Sequence, residues 1–138
     1  MDAPERYEQL MAFLGSQLPA PVEQEPGDEG SIIFTGGAPA EVVVHLTATS
    51  VVVSEFAGVW ESEDTFVVRP RRVGVVKWRR LSETAVMNAV ATLIKGAREA
   101  RIARYRICRS CGETHPPEWL FDDDLCQRCA GQQRDVVH

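Results

Sequence analysis

The residues with the clearest chemical signature in this sequence are its four cysteines, which all lie near the C-terminal end. Cys108 and Cys111 form one CxxC pair, and Cys126 and Cys129 form a second pair after fourteen intervening residues. Two residues between sulfurs let a tight turn direct both thiolates at one ion, and two such pairs supply the four ligands of tetrahedral zinc. The spacing therefore predicts one structural Zn²⁺ bound by Cys108, Cys111, Cys126 and Cys129.

Other uses of these cysteines fit the sequence less well. A redox CxxC motif usually occurs once beside a βαβ pattern, which this sequence lacks, and disulfides need an oxidising compartment that the N-terminus does not indicate. A catalytic zinc keeps one coordination position open, whereas four thiolates fill all four. His115 could replace a cysteine, but its place beside Pro116 and Pro117 favours an exposed loop side chain. Structural zinc is therefore the favoured interpretation.

The segments CRSCG at 108–112 and LCQRCAG at 125–131 resemble the treble-clef and zinc-ribbon group of small zinc modules. The resemblance covers residues 105–134 only. It implies a structural zinc held by four cysteines, in a module that often binds nucleic acid or another protein. The treble-clef form is favoured because the second pair is expected to open a helix, where a ribbon would have another hairpin. A segment of about 30 residues cannot build its own core, so the metal is expected to contribute on the order of 10 kcal/mol to folding.

The charged residues are strongly segregated along the chain, although the net charge is only −5. Residues 1–67 carry 12 acidic residues and one basic residue, residues 68–110 carry 12 basic and two acidic residues, and residues 111–138 carry six acidic and two basic residues. Thirteen of the 15 basic residues are Arg, whose planar guanidinium binds phosphate or carboxylate bidentately. Either the basic segment binds a polyanion, or the acidic flanks fold over it and neutralise it.

Contact with nucleic acid through the basic segment and the zinc module is the first function that this pattern favours. The candidate contact residues are Arg71, Arg72, Lys77, Arg79, Arg80, Arg98 and Arg101. Trp78 and Tyr105 could stack on bases, although a Trp in a Val-rich strand is more often part of the core. The acidic overall balance argues against a dedicated nucleic-acid binder, whereas the local basic cluster argues for contact.

A protein–protein adaptor, or an accessory or immunity-type protein with a purely structural zinc, is the alternative function. The loop at 116–121 carries an unusual amount of apolar bulk for a zinc module, including Trp119 and Phe121. We expect Trp119 or Phe121 to pack against the zinc-binding turns or the long helix. If they are exposed instead, they form the type of aromatic anchor that dominates protein interfaces.

Catalysis has little support in this sequence. It contains no nucleophile elbow, phosphate-binding loop or dinucleotide-binding fingerprint. His45 lies in the middle of a Val-rich strand, where a lone His is more often a hydrogen-bonded structural residue than a general base. We therefore predict a non-catalytic zinc-binding protein.

The segments before the cysteines predict an α+β fold. Residues 3–18 repeat apolar side chains at helical spacing, which indicates an amphipathic N-terminal helix. Four or five antiparallel strands rich in Val are expected between residues 31 and 81, because β-branched residues alternate and the links are short. One of these strands is expected to run from Val51 to Trp60, and the last from Val73 to Leu81. Ser82 and Glu83 then mark the start of a long helix to about Arg104, whose apolar stripe is expected to lie across the sheet.

Length and composition fit one core with a small appendage. The chain has 138 residues, of which 44% are hydrophobic and 25% are charged, as in an ordinary globular protein. We assign residues 1–104 to an α+β domain with an acidic linker at 19–30, and residues 105–138 to the zinc module. No apolar run reaches the length of a membrane span. The acidic N-terminal residues match neither a secretory signal nor a transit peptide, so a cytoplasmic protein is expected.

Overall fold

A computed structural model describes residues 3–136 of the chain, with side chains described through Gln132. Within that range the predicted α+β class is confirmed. The elements are α1 (Ala3–Gln17), β1 (Val22–Pro26), β2 (Ile32–Gly36), β3 (Val42–Leu46), β4 (Val51–Glu55), β5 (Gly58–Trp60), β6 (Phe66–Val68), β7 (Arg71–Val76), α2 (Glu83–Ala103), β8 (Arg106–Ile107), β9 (Thr114–His115), β10 (Leu120–Asp122), β11 (Leu125–Cys126) and α3 (Gln127–Val136).

Five strands form an antiparallel sheet in the order β1-β2-β3-β4-β7. In the middle of the sheet Val44 pairs with Phe34 on one side and with Val53 on the other. All three side chains are fully buried in one core cluster with residues of α1 and α2. Because alternate residues of a strand point to opposite faces, this register places both helices on one face of the sheet.

The prediction of an acidic linker at residues 19–30 is wrong, because part of this segment is a strand. Residues Val22–Pro26 form the edge strand β1, which pairs with β2 along its whole length from Val22 opposite Gly36 to Pro26 opposite Ile32. Four of the five residues of β1 are exposed, so its sequence carries no alternating apolar pattern. Backbone hydrogen bonds to β2 and the packing of half-buried Val22 against the core hold the strand, and Pro at its end is tolerated because an edge strand pairs on one side only.

The segment between β4 and β7 also differs from the predicted strands. We predicted one strand from Val51 to Trp60, but β4 ends at Glu55 and the chain turns into a separate β5–β6 hairpin. The last strand was predicted from Val73 to Leu81, but β7 ends at Val76 and a 3-10 turn, Trp78–Arg80, follows it. Trp78 is 1% exposed and donates a hydrogen bond from Nε1 to the carbonyl oxygen of Thr47 at 3.1 Å, which fixes this turn against the core.

The long helix α2 begins where the sequence predicts. The hydroxyl oxygen of Ser82 accepts a hydrogen bond from the backbone N–H of Ala85 at 3.2 Å, which caps the helix. The helix lies close to β7 because Gly74 has no side chain, and a Cβ there would be only 2.6 Å from Cδ2 of Leu93. Its buried residues are Val86, Val90, Ile94, Ala97 and Arg101.

After α2 the chain forms two short hairpins, β8–β9 and β10–β11, and then α3. These elements and the turns between them carry all four cysteines. The division at residue 104 stays a prediction, and the last two residues of the predicted module lie outside the described part of the chain. None of the helices in residues 3–136 combines the length and the apolar character that crossing a membrane requires.

Candidate metal centre

Two hairpins and a helix bring the four predicted cysteines together. Cys108 and Cys111 lie in the turn between β8 and β9, Cys126 is the last residue of β11, and Cys129 is in the first turn of α3. Their four sulfur atoms all lie within 4.8 Å of one another. Residues far apart in the chain thus converge on one point that could hold a metal ion.

The turn that carries the first pair depends on glycine. Gly112 has a φ of +75°, in the left-handed region that residues with a Cβ rarely adopt. Its backbone N–H donates to the carbonyl oxygen of Cys108 at 2.9 Å, and the N–H of Cys108 donates to the carbonyl oxygen of Glu113 at 2.8 Å. These two bonds close the turn so that both sulfurs point to the same side.

The hydrogen bonds at the sulfur atoms stabilise negative charge unevenly. The backbone N–H of Cys126 lies 3.4 Å from Sγ of Cys108. This bond, together with the N–H of Cys111, lowers the pKa of Cys108 to about 6. The neighbouring sulfur of Cys126 and the burial of the thiol raise the pKa of Cys129 to about 12. Without an ion, the cluster thus favours the thiolate of Cys108 and the neutral thiol of Cys129.

Arg128 supplies part of the positive charge near the sulfurs. Its interactions with Cys111 and Glu113 raise the pKa of its guanidinium, and its Nη2 donates to the carboxylate of Glu113 at 3.2 Å. Arg109 instead forms an ion pair with Asp124, which ties the first cysteine turn to the β10–β11 turn. Positive and negative groups thus alternate around the cluster.

His115 lies closer to the cluster than the sequence indicates. We expected an exposed side chain, but His115 is only 9% exposed, and its Nε2 is 3.8 Å from both Sγ of Cys111 and Oε2 of Glu113. The ligand atoms of Cys111, Glu113 and His115 form a second close group. Its cysteine belongs to the first group, so we assign His115 a supporting position beside the four sulfurs.

Arg101 lies inside the protein, which corrects its assignment to a nucleic-acid surface. Its guanidinium is 1% exposed and forms a two-pronged ion pair with the carboxylate of Glu118. Its Nε also donates to the carbonyl oxygen of Ala40 at 3.0 Å, and Cζ lies 5.1 Å and 5.2 Å from the ring centres of Phe56 and Tyr105. Because Glu118 lies between the two cysteine pairs, this ion pair joins α2 to the cysteine module.

Sequence reasoning missed this role, although the chain carries a signal for it. Arg101 follows Ala97 by four residues on the helical stripe of Val86, Val90, Ile94 and Ala97, so it occupies a core position of α2. A charged residue at such a position is almost never buried without a partner. The stripe thus predicts a buried carboxylate near Arg101, and Glu118 is that carboxylate.

Acidic residues from both flanks neutralise much of the basic segment. Among the described residues, six bases of segment 68–110 form ion pairs, and every acidic partner lies outside that segment. Glu55 is 4% exposed and binds both Arg71 and Arg104, which raises the pKa of Arg104. Arg98 pairs with Glu41. The sequence left two explanations for the basic segment, binding of a polyanion or neutralisation by the acidic flanks. For these six basic residues the structure shows neutralisation by the flanks.

The remaining candidate bases have exposed positions on two neighbouring elements. Arg72 lies on the edge strand β7, Lys77 follows that strand, and Arg79 and Arg80 lie in the 3-10 turn. Arg79 places its guanidinium carbon 5.5 Å from the ring centre of Trp78. The buried Trp78 is thus a core residue that supports the turn and offers no stacking surface for a base.

Trp119 and Phe121 are exposed, at 49% and 52%, although the ring centre of Trp119 lies 6.0 Å from that of His115 in the cysteine module. A third aromatic residue, Trp60 of the β5–β6 hairpin, lies between them and is 48% exposed. Its Nε1 donates to the carbonyl oxygen of Glu118 at 3.0 Å, which fixes the indole against the cysteine module. A large aromatic residue directly before the polar turn at 61–65 is the feature of the sequence that could have indicated an exposed role for Trp60.

Two cavities lie on either side of Trp60. One, of about 470 Å³, is lined by Phe121, Ala130 and Glu63, and the other, of about 430 Å³, is lined by Trp119, Glu113 and Arg128. We call Trp60, Trp119, Phe121 and these two cavities the aromatic groove. Comparison of the chain with models of known protein families, with curated proteins and with solved structures finds no match. The function of the groove and of the cysteine cluster therefore has to be argued from their geometry.

Proposed function

We propose that the chain is a non-catalytic protein that binds one structural Zn²⁺ through Cys108, Cys111, Cys126 and Cys129. Zinc–thiolate bonds of about 2.3 Å in a tetrahedron place sulfur atoms about 3.8 Å apart. The sulfurs of Cys111 and Cys126 are 4.0 Å apart, close to that separation and far from a disulfide bond of about 2.05 Å. Four thiolates fill the coordination sphere, so the ion stabilises the fold and leaves no position for a substrate.

The positions of the ligands support a treble-clef arrangement. The first pair lies in a hairpin turn, whereas Cys126 ends a strand and Cys129 lies one turn into a helix. In a zinc ribbon the second pair would lie in the turn of another hairpin. The helix α3 at the second pair is the observation that favours the treble-clef form.

We further propose that the aromatic groove binds another protein. Exposed Trp60 lines one cavity with Phe121 and the other with Trp119, and clustered aromatic side chains of this kind supply most of the binding energy in protein interfaces. Trp60 is anchored through Glu118, so the groove is preformed and its ordering cost is small. The exposure of these three rings is the observation that supports a protein-binding function.

The charges around the groove favour a basic partner segment. Glu63 lines one cavity, Glu113 lines the other, and Asp122 and Asp123 follow Phe121 directly. Among the described residues that line the two cavities, Arg128 is the only Lys or Arg, and the carboxylate of Glu113 neutralises its charge. Lys and Arg side chains bind both carboxylates and indole faces, so a segment with a basic residue beside an apolar anchor complements this surface.

Nucleic-acid contact is the second candidate, and it has less support. Arg71, Arg98 and Arg101 are paired with glutamates, which leaves Arg72, Lys77, Arg79 and Arg80 for contact with phosphates. Binding through these four exposed side chains would weaken steeply with salt and would fall when Arg79 and Arg80 are replaced by Ala. Loss of partner recovery after nuclease treatment would favour this candidate over a protein partner.

The decisive experiment is a nuclease-treated pull-down with the zinc-loaded chain as bait, followed by mass spectrometry. We expect the pull-down to recover one protein. After purification, the binding free energy of that protein to the chain should weaken by about 2 kcal/mol for Trp119→Ala in the chain, and by a similar amount for Phe121→Ala. Leu81→Ala is the matched control, because Leu81 is also an exposed apolar residue, at 42%, but lies outside the groove. Equal affinities for the groove variants and the control would contradict the proposal.

A further inference from the structure

A second group of metal-ligand side chains lies beside the four sulfurs. Sγ of Cys111, a carboxylate oxygen of Glu113 and a ring nitrogen of His115 all lie within 4.8 Å of one another. Cys111 belongs to both groups, and it is the one cysteine of the four that is not buried. Thiolate, carboxylate and imidazole are the side-chain groups that bind zinc in proteins. The group thus offers three ligands for an ion next to the structural one.

The distances between these atoms fit one small ion. Nε2 of His115 is 3.8 Å from Sγ of Cys111 and 3.8 Å from Oε2 of Glu113. Zinc bonds of about 2.1 Å to nitrogen and oxygen and about 2.3 Å to sulfur give tetrahedral separations of about 3.6 Å between nitrogen and sulfur and about 3.4 Å between nitrogen and oxygen. Small rotations of the side chains therefore bring the three atoms to bonding distance of an ion.

The imidazole of His115 is buried without a strong partner. The residue is 9% exposed, and Nδ1 has no hydrogen-bond partner among the described residues. The contact of Nε2 with Glu113 is too long for a hydrogen bond, and its contact with the sulfur of Cys111 is a weak one. A buried polar group costs free energy unless it is bound. A metal ion at Nε2 would supply the strong interaction that this nitrogen lacks.

The charges around this group favour a second cation. Four thiolates around one divalent ion leave two negative charges, and the carboxylate of Glu113 adds a third. Arg128 interacts with both Cys111 and Glu113, and its single positive charge offsets one of the three. Uncompensated negative charges this close together attract a divalent cation.

One cavity of the aromatic groove gives an ion access to the group. Glu113, His115 and Arg128 line the cavity of about 430 Å³ that Trp119 also borders. The side chain of Arg128 is 59% exposed, so it is free to turn into solvent when an ion takes its place at Glu113. Three protein ligands leave the fourth tetrahedral position to a water molecule from the cavity.

We propose that Cys111, Glu113 and His115 bind a second divalent cation of the zinc type, with the thiolate of Cys111 as the bridge between the two ions. The proposal rests on the structural zinc of the proposed function, because that ion fixes the position of Cys111. Three side chains hold an ion less firmly than four thiolates, and Arg128 competes for Glu113. The second ion therefore exchanges with the solution, whereas the structural ion stays bound through purification.

Equilibrium dialysis of the full chain against rising zinc concentrations, followed by metal analysis, tests the proposal. We expect the zinc content to rise from one ion per chain to two. Glu113→Gln and His115→Ala should each keep the first ion and weaken binding of the second by roughly 100-fold or more, since loss of even an outer-shell partner of a metal ligand costs roughly 10- to 100-fold. Glu113 is 60% exposed, so Glu113→Gln is expected to fold even if His115→Ala disturbs the module.

Cobalt identifies the ligands of the second ion. When the zinc-loaded chain is titrated with Co²⁺, a thiolate-to-cobalt charge-transfer band should appear while metal analysis finds the first zinc still bound. The band reports the bridging sulfur of Cys111, and both variants should lose it. A cobalt spectrum without a thiolate band would contradict the bridge and overturn the proposal.

Glu63→Gln is the matched control, because Glu63 is an exposed glutamate that lines the other cavity of the groove. This variant should bind the second ion like the wild type. A zinc content that stays at one in excess metal would overturn this proposal and leave the structural zinc in place, whereas a chain without any zinc would overturn both. A second ion that Glu113→Gln binds as well as the wild type, or that Glu63→Gln loses, is an adventitious ion only and would overturn the proposal.

Discussion

The helix-covered side of the sheet and the cysteine module obtain their stability in different ways. Between the sheet and the two helices, fifteen buried residues form one continuous cluster that includes Phe34, Leu46 and Trp78. The cluster of the module consists of three cysteines with Leu125 and Ala130, and only a few partly buried neighbours pack against it. The first region buries enough apolar surface to fold by the hydrophobic effect, and the second does not.

This difference assigns separate tasks to the two regions. We infer that the sheet and its helices fold without a ligand, whereas the proposed metal ion holds the hairpins and α3 of the module in place. The buried pair of Arg101 and Glu118 joins them. Because the backbone carbonyl of Glu118 also accepts the hydrogen bond of Trp60, the cysteine module, this ion pair and the aromatic groove are connected through one residue.

The largest effect is expected from loss of the metal. Chelation of zinc, or Cys126→Ser, should remove on the order of 10 kcal/mol from the folding free energy of the module, since four thiolates then lack their cation. Hydrogen exchange read by mass spectrometry should detect lost protection in residues 105–136 and retained protection in β3 and β4. Metal analysis of the purified wild-type chain should find one zinc per chain.

The reciprocal variant is Phe34→Ala, which removes a fully buried ring from the sheet core. It should lower the free energy of unfolding of the α+β part by about 3–5 kcal/mol. Chelation that unfolds β3 and β4 together with the module would contradict the division of tasks. The same conclusion would follow if residues 105–136 kept their protection from hydrogen exchange in Cys126→Ser.

The next largest effect is expected from breaking the connection between the regions. Arg101→Met leaves the nearly buried carboxylate of Glu118 without its cation, so the free energy of unfolding in urea should fall by about 3–5 kcal/mol. Glu118→Gln should cost a similar amount. The double variant should lose clearly less than the sum of the two, because the unpaired charge is then absent.

Arg98→Met is the matched control on the same helix. Its partner Glu41 lies in an ion pair whose arginine side chain is 55% exposed, and such solvent-screened pairs contribute at most about 1 kcal/mol. If Arg98→Met and Arg101→Met changed the free energy of unfolding equally, the buried pair would not have the connecting role assigned to it.

The elements with strong periodic or spacing signals were predictable from the sequence. Alternating Val residues predict β3 and β4, the Ser82 cap and the apolar stripe predict α2, and the two CxxC spacings predict the convergence of the four sulfurs. In each case the information is local, because a strand face, a helix face or a turn is set by residues within a few positions.

The features that the sequence did not predict depend on contacts between distant residues. β1 has the composition of a linker and becomes a strand only because β2 offers an unpaired edge. Arg101 meets Glu118 across seventeen positions, and Trp60 meets the same residue across fifty-eight. Trp119 and Phe121 are exposed because the module is too small to bury them, which no local pattern states.

The smallest effect is expected at the end of α2 that lies farthest from the module. Ser82→Ala removes the hydroxyl that accepts the N–H of Ala85, so the free energy of unfolding of the α+β part should fall by about 1 kcal/mol. The zinc affinity of the module should stay unchanged, since the cap lies nineteen residues before Arg101, at the opposite end of the helix. Urea unfolding and a competitive zinc titration on the same preparation measure both quantities. A loss of zinc affinity in this variant would mean that the helix as a whole, and not its buried arginine, couples the sheet to the metal.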